Sequence, residues 1–249
     1  TQHRDLVLRA LTDLDSNDNG VSLGALTSHR AKLSVKQQAA LDATLRALGK
    51  NLLPELSSLV QHRDAEVRAH TLSILSKIGG TQARELLRAG LADSNVFVRK
   101  ETLLAAARIA RNAPEDADEL AAIVLRSLKA QHWQERVAAA QALENWQETK
   151  ASSHADALIQ ALQTDDKGFV RAAAAKSLGV RLKGTGDAQA KPLAALSSAL
   201  DAKKEPLATV RFEVVRALQL IGGPAAKRIL ADVAKADPSK RVRDAASQI

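Results

Sequence analysis

The sequence lacks several residue types, and each absence excludes a kind of site or fold. It has no cysteine among its 249 residues, which excludes disulfide bonds, thiolate zinc sites and thiol nucleophiles. No two of its six histidines stand four residues apart, so the zinc-binding spacing of a helix is missing and we expect surface histidines. Only 24 residues are Val or Ile and five are aromatic, against 48 Ala and 36 Leu. This balance favours helices and argues against an all-β fold.

Long hydrophobic runs are also missing. No run approaches the roughly 18 residues that cross a bilayer, and the first residues lack the apolar core of a signal peptide. We therefore expect a soluble chain without membrane insertion. Because the sequence contains no methionine, we expect that Thr1 was exposed by processing or by excision from a longer chain. The compartment stays open, with the cytoplasm favoured over export of a mature chain.

The positive charge of the chain is concentrated in its C-terminal half. The net charge is +8. Residues 1–125 carry 16 basic and 15 acidic side chains, whereas residues 126–249 carry 20 and 13. A partner that is attracted by charge would therefore prefer the C-terminal half.

One short pattern recurs along most of the chain. A Val-Arg pair opens a stretch rich in Ala and Leu at Val67-Arg68, Val98-Arg99, Val170-Arg171, Val210-Arg211 and Val242-Arg243, and Glu135-Arg136 is a degenerate copy. These arginines are on average 35 residues apart. Apolar residues stand four and seven places after each of the first five of these arginines along the chain, a spacing that places them on one face of an α-helix. A second amphipathic stretch follows each first one, so the pattern predicts about five stacked helical hairpins.

Acidic residues mark the turns of this pattern. They stand six places before the repeated Arg, where they can cap the start of a helix, at Asp93, Asp165, Glu205 and Asp237. An acidic turn, a Val-Arg pair, and Ala and Leu at helical spacing together resemble HEAT repeats, in particular the short repeats of phycobilisome-lyase-type proteins. The resemblance covers about residues 50–249 and implies an all-α fold, a right-handed superhelix of stacked hairpins. It also implies a structural ladder in which the turn acids pair with Arg68, Arg99, Arg171, Arg211 and Arg243.

Residues 1–49 depart from the repeat. We interpret them as an N-terminal helical cap with a polar loop, and residues 50–249 as the repeats with a truncated last helix, because solenoids need covered ends. The loop at 15–20 places oxygen ligands at Asp15, Asn17 and Asn19 and a glycine at the sixth position, as an EF-hand loop does. Its twelfth position is Leu26 instead of Glu. We therefore predict no tight calcium site there and no other metal site.

The sequence offers no catalytic residue and no cofactor site. It lacks the Gly-Lys-Ser/Thr of phosphate-binding loops and the Gly-x-Ser-x-Gly of hydrolases. Both tryptophans fall in the irregular unit around Arg136. Trp146 takes a position that other units fill with Ile and is predicted to lie in the core. Trp133 is expected to project from a turn, either to anchor a partner or stack on a nucleic-acid base, or as a plug between repeats.

Basic residues stand off the apolar face of the helices that the Val-Arg pairs open, five or nine places after the repeated Arg. They are Lys77, Arg108, Lys176 and Arg216. Stacked repeats would align them as a basic stripe on the concave ridge, although Glu101, Glu144 and Glu213 interrupt it. The alternative interpretation is an ordinary solvated surface of mixed charge.

Three functions are compatible with these features. The first is a non-catalytic scaffold that binds another protein through the concave ridge, with the basic stripe and Trp133 as contact residues. The second is a nucleic-acid-binding protein with a basic concave face, similar to the HEAT-type DNA glycosylases. The third, which the repeat subtype alone implies, is a bilin-lyase-like enzyme. The missing catalytic motifs favour the scaffold.

Overall fold

The structure is a computed structural model, and it describes residues 53–54, 56–112, 117–144, 146, 154–188 and 190–248. All regular secondary structure in these ranges is helical, as the composition predicts. The chain forms two compact units, Thr1–Pro114 and Glu115–Ile249. The predicted cap at 1–49 and its calcium-loop candidates Asp15, Asn17 and Asn19 lie outside the described residues.

In the N-terminal unit, a short helical stretch ending at residue 59 precedes α1 (Ala65–Ile78), α2 (Gly80–Leu91) and α3 (Val96–Asn112). Asp64 caps α1, because its carboxylate accepts the N–H of Glu66 at 2.8 Å. The helix ends at Gly79, whose φ of 72° is a left-handed conformation that glycine adopts without strain. α3 packs against both α1 and α2.

The C-terminal unit contains the remaining α-helices. They are α4 (Ala117–Ser127), α5 (Trp133–Ala142), α6 (His154–Thr164), α7 (Gly168–Arg181), α8 (Ala190–Ser198), α9 (Ala208–Ile221), α10 (Gly223–Ala236) and α11 (Lys240–Ala246), with a 3-10 turn at Gly186–Ala188. Within this unit the odd-numbered helices form one layer, in which α7 packs against α5 and α9, and α9 packs against α11. Each even-numbered helix packs against the odd-numbered helix that follows it. These pairs are helical hairpins in which the Val-Arg helix comes second, whereas the sequence pattern placed it first, and their stacking is the predicted α-solenoid fold class.

The buried positions confirm the predicted helix register. The residues four places after the repeated Arg are at most 1% exposed, and they are Leu72, Leu103, Ala140, Ala175 and Val215. The residues seven places after it are fully buried, and they are Leu75, Ala106, Leu143, Leu178 and Leu218. Burying one leucine side chain contributes about 1.5–3 kcal/mol. The second helices therefore hold each unit together through this repeated stripe.

A glycine sets the distance between α7 and α9. A Cβ atom on Gly179 would lie 2.5 Å from the Cα atom of Ala217 on α9. Since that obstacle is backbone, a rotamer change cannot remove it. Gly179 thus allows the two helices to approach more closely than any other residue would.

Arginine side chains join successive repeats. Arg68 donates from Nε and Nη2 to the carboxylate of Asp93, at 2.7 and 2.9 Å, in the turn of the next repeat. Its Nη1 donates to the carbonyl of His62, in the turn before its own helix, at 2.7 Å. The same two-sided arrangement occurs at Arg136 with Asp165, at Arg171 with Glu205, and at Arg211 with Asp237. The ladder that the resemblance implied is thereby confirmed for Arg68, Arg171 and Arg211.

Arg136 belongs to this ladder although its repeat looks degenerate in the sequence. Its own turn has Ala130 where other turns have an acid, but the carbonyl of Ala130 still accepts a hydrogen bond from Arg136 Nη1 at 3.0 Å. The carboxylate comes from Asp165 of the next turn. Arg99 and Arg243 donate to carbonyls of their own turns.

The ladder acids stabilise turns, which corrects their expected role as caps of the first helical turn. Asp93 accepts the backbone N–H two residues later, and so do Asp165 and Asp237. The hydrogen bonds from Arg68 hold the pKa of the Asp93 carboxyl below its ordinary value of 3.8. Burial acts to raise the pKa of Asp237, but the hydrogen bonds from Arg211 and Ser239 outweigh it and lower the pKa. Both carboxylates are therefore charged at neutral pH.

Candidate functional site

Two aromatic rings stack on the surface of the C-terminal unit. Trp133, the first residue of α5, lies with its ring centroid 5.1 Å from that of Phe169, at an interplanar angle of 24°. Trp133 is half-buried, whereas Phe169 is 69% exposed. The stack joins the first turns of α5 and α7. Trp133 therefore contacts the next repeat and also projects at the surface, two positions that the sequence offered as alternatives. Phe169 is not among the contact residues that the sequence predicts.

A leucine extends this apolar surface to the next repeat. Leu207 precedes α9 and is 45% exposed. A Cβ atom on Gly168 would lie 2.3 Å from Leu207 Cδ1, so the leucine side chain rests against the backbone just before Phe169. We call Trp133, Phe169 and Leu207 the apolar row. It spans three consecutive repeats at the amino-terminal ends of their second helices.

The predicted basic residues of the C-terminal unit differ in their partners. Lys176 on α7 lies with its Nζ 3.3 Å from the carboxylate of Glu144. Arg216 on α9 is exposed and makes no hydrogen bond or ion pair with any residue that the structure describes. The guanidinium of Arg241 on α11 lies 4.3 Å from the ring centroid of Phe212 on α9, a cation–π contact. Of the two predicted residues, Arg216 is the one that keeps its charge available.

Arg216 and Arg241 border an open groove between α9 and α11. The groove has a volume of about 650 Å³, and Phe212, Arg216, Gln219, Lys240, Arg241 and Asp244 line it. Gln219 Nε2 donates to the carbonyls of Ala245 and Gln248, at 2.8 and 3.0 Å. These bonds fix the end of α11 against α9, so the groove has two anchored walls.

The predicted basic residues of the N-terminal unit lie on neighbouring helices. Arg108 on α3 donates to the hydroxyls of Ser76 and Ser73 on α1, at 3.0 and 3.2 Å. Lys77 on α1 is half-buried. Phe97 on α3 is 38% exposed, and the Nζ of Lys100 lies 5.3 Å from its ring centroid. The guanidinium of Arg108 is thus used to hold α1 and α3 together.

The other aromatic and histidine predictions have mixed outcomes. Trp146 is buried, as predicted, with 6% of its surface exposed. Its ring lies 6.3 Å from that of His154, which is fully buried, so the expectation of surface histidines is wrong for His154. His154 occupies the first position of α6 and faces the core there. In the described part of the chain, no three His, Asp or Glu side chains form a group that could hold a metal.

A family model described as HEAT repeats matches residues 22–108, 52–128 and 120–206. No curated protein matches the chain. Within the described ranges, no helix has the length and apolar character needed to cross a membrane.

Several solved structures are similar to the chain. An engineered protein is 21% identical with a TM-score of 0.50, and the match covers 96% of this chain and 66% of that one. A second engineered protein is 21% identical with a TM-score of 0.49, covering 78% of this chain and 93% of that one. An archaeal HEAT-like repeats protein from Thermococcus onnurineus NA1 is 14% identical with a TM-score of 0.48, covering 84% and 90%. The similarity to the first engineered protein shows the fold and gives no information on activity.

Proposed function

Because the chain belongs to the HEAT-repeat family, we propose that it is a non-catalytic scaffold whose C-terminal unit binds another protein. The contact surface is the layer of α5, α7, α9 and α11. The observation that carries this proposal is the stack of Trp133 on Phe169, with 69% of Phe169 exposed. Contiguous exposed apolar side chains mark interaction surfaces more often than isolated ones do.

The scarcity of aromatic residues strengthens this interpretation. The sequence has only five of them, and three lie on neighbouring second helices of this one layer: Trp133, Phe169 and Phe212. Aromatic side chains give a large contact area at a low cost in conformational entropy, and they dominate the binding energy of protein interfaces. An exposed phenylalanine does not contribute to a core built from Ala and Leu, so the position of Phe169 favours a contact with a partner.

Two predicted basic residues lie on the same layer as the apolar row. Lys176 and Arg216 are exposed on α7 and α9, where charge raises the association rate and selects partners of opposite sign. Lys77 and Arg108 of the N-terminal unit stay predictions as contact residues.

The proposal is tested with a partner isolated from the source organism and then purified. Binding to the purified chain is measured by titration calorimetry for the parent, for Phe169→Ala and for the control Lys227→Ala. Lys227 is exposed on α10, outside the layer of the proposed contact surface. We expect Phe169→Ala to weaken binding about tenfold or more, which corresponds to at least about 1.4 kcal/mol, and Lys227→Ala to leave it unchanged. Equal affinities for all three proteins would refute the proposal.

A further inference from the structure

The groove between α9 and α11 concentrates positive charge beside one aromatic ring. Arg216, Lys240 and Arg241 line it together with a single acid, Asp244. Lys240 Nζ lies 3.5 Å from the carboxylate of Asp244, and both side chains are exposed. The two arginines are thus left as the uncompensated charges of the groove.

The availability of Arg216 distinguishes it from other cations of the same layer. Lys176 is paired with Glu144. Arg181 donates to the carbonyls of Leu143 and Trp146 at the end of α5, at 2.7 and 2.6 Å. Arg216 contacts no acid or carbonyl in the described part of the chain. A guanidinium that serves neither the fold nor an internal ion pair is free to meet an external anion.

Arg241 is held in place without losing its hydrogen-bonding capacity. Its guanidinium lies over the ring of Phe212 at 4.3 Å, a contact that leaves the N–H groups at the edge of the guanidinium plane. Gln219 fixes the relative position of the two helices through its bonds to the end of α11. The groove therefore presents two arginines on anchored walls, which lowers the entropy lost when an anion binds.

We infer that this groove binds the carboxylates of an acidic segment of the protein partner, a stretch rich in Asp and Glu. The inference rests on the proposed function in taking the partner to be a protein. A planar carboxylate matches the fork of an arginine with two parallel hydrogen bonds. The volume of about 650 Å³ accommodates a few side chains of such a segment.

The charges around the groove favour a peptide over nucleic acid. Asp244 is exposed in the groove, and Glu213 lies on α9 three residues before Arg216. A duplex places phosphates at short, regular intervals and needs a continuous row of cations. Here the cations that line the groove are interrupted by these carboxylates. Discrete acidic side chains can avoid Asp244 and Glu213, whereas a regular phosphate backbone cannot.

The test uses a fluorescein-labelled octaglutamate peptide, with an octaglutamine peptide as the uncharged comparison. Fluorescence anisotropy gives the affinity of the parent, of Arg216→Gln, of Arg241→Gln and of the control Arg228→Gln. Arg228 is exposed on α10, in the other layer and away from the groove. Its substitution makes the same change in net charge as the two groove variants. We expect octaglutamate binding to weaken about tenfold in the two groove variants and to stay within a factor of two in the control.

Several results would overturn the inference. One is an equal loss of affinity in Arg216→Gln and Arg228→Gln, which would show that net charge alone attracts the peptide. Others are the absence of octaglutamate binding, or tighter binding of duplex DNA that is lost in the same variants. Phe169→Ala should leave octaglutamate binding unchanged, because Phe169 does not line the groove. Phe169→Ala can leave binding of the protein partner unchanged while Arg216→Gln weakens binding of octaglutamate. That result would refute the apolar row as a contact surface and would support the groove as a site for acidic peptides.

Discussion

The ion pair of Arg211 and Asp237 gives the sharpest prediction about stability. Both side chains are 2% exposed. Arg211 donates two hydrogen bonds to Asp237, at 2.8 and 3.0 Å, and a third to the carbonyl of Glu205 at 2.7 Å. The substitution Arg211→Met keeps the apolar stem and removes all three bonds. It leaves Asp237 with the N–H of Ser239 as its remaining donor among these contacts.

The size of the effect follows from that burial. A buried charge that loses its partner costs about 3–5 kcal/mol, out of a typical total stability of about 5–15 kcal/mol. Replacing both partners in Arg211→Met/Asp237→Leu removes the unpaired charge as well as the pair. We therefore expect the double variant to be more stable than Arg211→Met alone, by about 2 kcal/mol or more.

The same pair predicts a dependence on pH. In the parent, the pKa of Asp237 is lowered. The ionised carboxylate therefore stabilises the folded chain above the ordinary pKa of 3.8, and this stabilisation is lost as the pH falls below that value. In Arg211→Met, burial without the arginine raises the pKa of Asp237. Folding then takes up a proton, and stability falls as the pH rises through that raised pKa. The difference in free energy of unfolding between Arg211→Met and the parent should be largest at neutral pH and should become smaller towards pH 4.

Urea unfolding followed by circular dichroism measures these differences, with the slope of the transition as a check that two-state behaviour holds. The control is Lys227→Met on α10, an exposed side chain for which we expect a change within about 0.5 kcal/mol. A loss below about 1 kcal/mol in Arg211→Met, or a double variant less stable than the single one, would refute the reasoning.

Three further predictions concern packing and the polar loop. Gly179→Ala should destabilise the chain by about 1–2 kcal/mol in urea unfolding, since overpacking against Ala217 outweighs the better helix propensity of alanine; a gain in stability would contradict the close approach. Leu143→Ala should cost about 2–5 kcal/mol in the same assay because Leu143 is fully buried, and a loss of a few tenths would mean that the helix register is wrong. Calorimetric titration with Ca²⁺ should give no tight binding; micromolar affinity abolished by Asp15→Ala would contradict this.

The repeat and its register could be predicted because they depend on local spacing. Apolar residues four and seven places after each Arg must face the same side of a helix, and the structure buries Leu72 and Leu75 in that way. The ladder at Arg68 followed from the resemblance. The sequence does not predict the contact of Arg136 with this ladder, because its own turn has Ala130 in place of an acid. The acid that binds Arg136 is Asp165, 29 residues away.

The contacts of the candidate site depend on how neighbouring repeats pack against each other. The spacing of residues in the sequence does not determine that packing. Trp133 stands three residues before its repeated Arg and Phe169 two before its own. This offset of one residue conceals that their rings stack. The pairing of Lys176 with Glu144 likewise depends on how α7 packs against α5. The burial of His154 could not be predicted, because a histidine without a motif shows no preference for core or surface in the sequence.

The claim that the layer of α5, α7, α9 and α11 binds the partner has a direct test, because the chain has no cysteine. Single-cysteine variants Thr209→Cys on α9 and Asp232→Cys on α10 place one thiol on each layer at exposed positions. The rate of maleimide labelling is measured with and without saturating purified partner. We predict that the partner slows labelling at position 209 and leaves the rate at position 232 unchanged. Protection at position 232 alone, or equal rates at position 209 with and without the partner, would contradict the claim.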